Sequence, residues 1–203
     1  MNAKALLRIA WASVLLGLVM EVLILVAALL LGRLPGARAV LAETVQKVAW
    51  STIVCLGLGI GTSAAKNAPP IAGVFGLVAG PIGFIVARAL HQGVSQALGV
   101  ALGGVAHPSA AVLAVLKGVQ YGGLGHGLAW IGKRFGGGGS VMAYVVTGLG
   151  VGLVFGGITL FLMSPLATPA LVMRGLNEVL FPVGCSLVVY SAKALQAREP
   201  AKA

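Results

Sequence analysis

The sequence predicts an all-α integral membrane protein, a bundle of about six transmembrane helices with one re-entrant or interfacial segment. Three observations predict it. Only 9% of the 203 residues are charged and 59% are hydrophobic, with a mean hydropathy of +1.03; a soluble domain carries about 25% charged residues to solvate its surface. The apolar residues gather in runs near the roughly 20 residues a helix needs to cross hydrocarbon about 30 Å thick. The runs also lack the strand alternation and aromatic girdles of a β-barrel, and aromatic content is 6%. The chain reads as a single polytopic domain over residues 1–203.

The first run, residues 9–31, follows Lys4 and Arg8. It is too long for a signal-peptide core and carries Glu21, so it reads as a retained helix. The second, 45–65, stops at Lys66-Asn67 and Pro69-Pro70, because proline cannot continue a helix and restricts the residue before it. The third, 71–89, holds Gly80-Pro81-Ile82-Gly83 at its midpoint, where the lost backbone donor predicts a kink or a short unwound stretch. Residues 93–106, between His91 and His107-Pro108, are too few to cross and read as the half-length segment. Full runs follow at 110–131, closed by Lys133-Arg134 and the Gly136–Gly139 loop, and at 141–163. A connection with Pro165, Pro169 and Arg174 leads to the last run, 179–195.

The net charge of +10 sits mainly between apolar runs, which suits anionic headgroups and topology setting and argues against nucleic acid as a partner. Six spans with the N-terminus inside place Lys4, Arg8, Lys66, Lys133, Arg134, Lys193, Arg198 and Lys202 on one side. Arg33, Arg38, Lys47, Arg88 and Arg174 fall on the other. The excess of basic residues expects both termini in the cytoplasm, in a membrane of the bacterial inner type.

Glu21, near the middle of the first run, costs about 2.5–3.5 kcal/mol to insert as an ion, so it must face the bundle or be protonated. Lys117 lies at a similar depth in the fourth run and is its expected partner. Gln120 follows one turn on, and His126, nine residues from Lys117, falls on the opposite, glycine-lined side. Asn177 and Glu178 stand where the last run begins, and a carboxylate in a first turn suits the helix dipole. The spacing Gly148, Gly152, Gly156 forms a small-residue stripe, and Gly118 with Gly122 repeats it. Such stripes let helix backbones approach, within a tight bundle or between copies in a homo-oligomer. Cys55 and Cys185 are single thiols inside apolar runs. His91, His107 and His126 have no metal-ligand spacing, and no nucleotide loop, nucleophile elbow or metalloprotease helix occurs. No metal, cofactor or catalytic residue is expected.

These features point to a transport-type function, a small channel or carrier for an ion or solute, on the buried charge, the broken third helix and the half-length segment. A non-catalytic subunit packed against other membrane subunits is the alternative, and a thiol-redox protein the third.

Overall fold

The computed structural model describes residues 3–65, 68–101, 108–135, 140–164 and 167–198. Among them are six helices: α1 (Ala3–Leu30), α2 (Ala37–Ala64), α3 (Pro69–Ala97), α4 (Ala110–Arg134), α5 (Val141–Leu162) and α6 (Thr168–Arg198). Five of these, all but α4, are long and apolar enough to cross a membrane.

Local chemistry sets the ends. Pro69-Pro70 start α3, where the missing donors would have gone unused in any case. Ser109 and Ser140 cap α4 and α5 by accepting from the amides of Val112 and Met142. Gly32 closes α1 with φ +64° and Gly99 closes α3 with φ +66°. There the amides of Arg33 and Val100 turn back to the carbonyls of Ala28 and Ser95.

Successive helices pack antiparallel. Along α1 and α2, Ile9 meets Gly59, Ser13 meets Ser51 and Glu21 meets Lys47. The register α3–α4 runs from Ala72 against Gly125 to Gly80 against Lys117, and α5–α6 from Gly148 against Val183 to Gly156 against Glu178. Glycine makes these approaches possible. A methyl added at Gly152 would stand 2.7 Å from the Val179 carbonyl oxygen, and one at Gly118 3.0 Å from that of Leu77. Gly122 likewise faces the Gly73 carbonyl. The stripes are therefore used up between neighbouring helices of one chain and are not a free self-association face.

The outer surface is apolar. Leu7, Trp11, Leu15, Val22, Val26 and Leu29 line the exposed side of α1, and Met142, Val146, Leu153, Ile158 and Phe161 that of α5. Water-facing monomers rarely expose apolar patches beyond a few hundred Å2.

The structure moves several boundaries. The third helix is continuous through Pro81, with no unwound stretch. Residues 93–97 are its last turn and not the start of a separate segment; residues 102–107, His107 included, lie outside the described residues, as do Gly136–Gly139. The second helix begins at Ala37, not 45, and the sixth at Thr168, not 179.

Candidate functional site

All four acidic residues of the chain are glutamates, and three of them converge. Glu21, Glu43 and Glu178 line a cavity of about 410 Å3, together with Arg33, Lys47, Lys117 and Arg174. The lining comes from the C-terminal half of α1 and α3 and the N-terminal half of α2, α4 and α6. Antiparallel packing brings those halves to one end of the bundle. Below the cavity the bundle is filled, by Ile9, Leu58, Leu124, Leu128 and their neighbours.

Two ion-pair groups form its charged walls. On one side Lys47 Nζ lies 2.5 Å from Glu21 Oε2 and 3.1 Å from Glu43 Oε2. Glu43 and Lys47 are one turn apart on α2, so both reach the same neighbour. His91 Nε2 adds a contact to Glu43 Oε1 at 3.5 Å. On the other side Lys117 Nζ donates to Glu178 Oε2 and, at 2.9 Å, to Gln120 Oε1. Arg174 Nε stands 3.3 Å from Glu178 Oε1, again one turn away. Lys117 and Glu178 are 6% and 2% exposed. Such a buried pair persists only because each charge compensates the other.

An apolar seam separates the two walls. Trp50 packs edge-on against Tyr121 at 5.4 Å between ring centroids, and Lys117 Nζ lies 5.8 Å from the Trp50 ring. Phe84 and Phe181 complete the seam. Beside Glu178, the buried Asn177 Oδ1 has no hydrogen-bond partner among the described residues, an arrangement that costs about 1–3 kcal/mol when nothing fills it.

Glu21, Lys117 and Glu178 thus belong to one site, but the expected Glu21–Lys117 pair does not form: each takes a partner on another helix. Asn177 and Glu178 do not cap a helix; they sit three turns into α6. Gln120 is fully buried and orients Lys117 without lining the cavity. His126 is exposed on the far side of α4, outside the site. Sequence reasoning missed Glu43, Lys47 and Arg174. The signal was present in the spacing: Glu43–Lys47 and Arg174–Glu178 are both i,i+4 pairs of opposite charge flanking apolar runs.

The two cysteines, on helices that pack side by side, also meet. Cys55 Sγ and Cys185 Sγ are 3.2 Å apart, both free and fully buried below the cavity. Comparison with protein-family models, with curated proteins and with solved structures gives no match for this chain.

Proposed function

We propose that the chain is an integral membrane protein of six transmembrane helices that carries a small solute. The observation that carries this reading is the charged cavity. Glu21 lies nine residues from the end of α1 and Glu178 ten from the start of α6, which at 1.5 Å per residue is about 14–15 Å deep. That depth is near the middle of a hydrocarbon core of about 30 Å. Ionisable groups at such a depth are costly to insert and commonly line solute pathways. The filled core below favours a carrier over an open channel. The sixth span is α4, whose one mid-helix charge, Lys117, is neutralised from α6.

Lys47 and Arg174 are engaged in the cavity. Without them the basic excess toward the termini grows, which supports both termini in the cytoplasm and a cavity opening outward, in a membrane of the bacterial inner type. The proposed partners are bilayer lipids. With the glycine stripes occupied, assembly with further copies or other membrane subunits would use the apolar outer faces. A purely packing subunit calls for paired charges without a cavity; the charges are paired, and the cavity beside them favours the carrier.

Proteoliposomes on a solid-supported membrane test the reading with a panel of small charged solutes. At least one should evoke a current, and Glu21→Gln should abolish it while circular dichroism stays that of the parent. Silence across the panel, or unchanged current in Glu21→Gln, would remove the carrier reading.

The thiol contact favours thiol-redox chemistry as the second reading. Loss of one proton and one electron from each thiol would join Cys55 Sγ to Cys185 Sγ, a two-electron acceptor taking up both electrons and both protons. Diamide is such an acceptor. Treatment of the purified protein should lower its intact mass by two hydrogens and protect both cysteines from alkylation after denaturation. Full alkylation of both would sink this reading.

A further inference from the structure

Six of the seven charged residues that line the cavity fall into two triads of opposite sign; the seventh, Arg33, follows the end of α1 and joins neither. Lys117, Arg174 and Glu178, from α4 and α6, set two cations against one carboxylate. Glu21, Glu43 and Lys47, from α1 and α2, set two carboxylates against one cation. Both triads line the same space, with Trp50 and Tyr121 between them.

Each triad keeps capacity of its majority sign. Lys47 engages Oε2 of Glu21, and a carboxylate accepts at about four lone-pair positions. Arg174 Nε lies within ion-pair distance of Glu178 but makes no hydrogen bond among the described residues, and a guanidinium has five donors. The Asn177 amide oxygen, an unpartnered acceptor on the same wall, would take a donor such as the ammonium and not the oxyanion. A solute with one charge is attracted by one wall and repelled by the other, and in a low-dielectric space neither force is screened away. A solute carrying both charges meets a complementary pole at each end.

We propose that the cavity binds a small zwitterion, an ammonium group and an oxyanion joined by a short linker with an apolar substituent, as in a free amino acid. The ammonium is held by Glu21 and Glu43, the oxyanion by Arg174 and Lys117, and the apolar part by Trp50, Phe84 and Phe181. The inference rests on the cavity being a solute site. A zwitterionic lipid headgroup with a primary amine and a phosphate shares this chemistry, and the two sources are separable.

The experiment uses the full chain in phosphatidylglycerol nanodiscs, which contain no zwitterionic lipid. The probes are leucine, its amine-only counterpart isopentylamine and its acid-only counterpart 4-methylpentanoate, read by equilibrium binding and thermal melting. Leucine should bind at least about tenfold more tightly than either half, because only it engages both poles. Glu21→Gln should remove leucine's advantage over the acid, and Arg174→Gln its advantage over the amine. Each variant leaves a balanced pair, Lys47–Glu43 or Lys117–Glu178, so the fold has no stranded charge. Leucine no tighter than its halves, or no binding by any of the three with phosphatidylethanolamine also failing to co-purify in native mass spectrometry, overturns the proposal. Retention of phosphatidylethanolamine, competing with leucine, assigns the zwitterion to a headgroup. Zwitterion binding without any solute current leaves the ligand class standing and removes transport. Current from a singly charged solute without zwitterion preference does the reverse.

Discussion

Glu178→Gln should destabilise the folded bundle by about 3–5 kcal/mol, the range for removing one member of a buried ion pair. Glu178 is the one carboxylate facing both Lys117 and Arg174. Its loss strands the buried Lys117 without an anion and with the Arg174 cation beside it. Lys117→Met should cost less, since Arg174 still compensates Glu178. The double variant Lys117→Met/Glu178→Gln should be milder than the sum of the two singles, because no buried charge is left stranded; Arg174, a third exposed at its side chain, can reach water. Unfolding of the four proteins in one detergent measures this cycle. Equal and additive single effects would mean that the two charges are not coupled.

Gly152→Leu should lose the docking of α5 on α6. The first added carbon already stands 2.7 Å from a backbone oxygen and 2.9 Å from the Val179 Cα, and backbone cannot swing aside as a side chain can. Overpacking against movable side chains costs about 1–3 kcal/mol, and this site should exceed it. Gly157→Leu, on the same helix with nothing within 4 Å of the added carbon, should match the parent or gain slightly, since glycine is about 1 kcal/mol poorer than alanine inside a helix. Folded yield and size-exclusion profile in detergent compare the two. Equal behaviour would mean that the α5–α6 contact is not close in solution.

Much of the helical architecture was legible in the residues, and the misplaced helix ends share one cause. Hydropathy treats a charge as the end of a helix. Glu43, with Arg38 before it, therefore shortened the second helix, Arg174, Asn177 and Glu178 shortened the sixth, and Arg88 with His91 closed the third too early. In each case the helix continues under the polar residue. Glu43 and those on α6 face a cavity or a countercharge and need no water at that depth. The early close of the third helix also assigned residues 93–97 to a separate segment, whereas the unwinding expected at Pro81 came from proline's missing donor.

Apolar run length, scarcity of charge and the lack of strand alternation determined the all-helical class, because in lipid only helices and closed barrels satisfy their own backbone. Glycine spacing determined that helices would approach closely. Which helices they would be, and which carboxylate each lysine would take, depended on residues up to 61 positions apart. No local pattern ranks Lys47 above Lys117 as the partner of Glu21: both are single cations, and the choice follows from the antiparallel register of α1 on α2. Only the tertiary structure decided that two opposite triads share one cavity, and that two thiols 130 residues apart would touch beneath it, because long-range packing alone sets the distance between side chains on different helices.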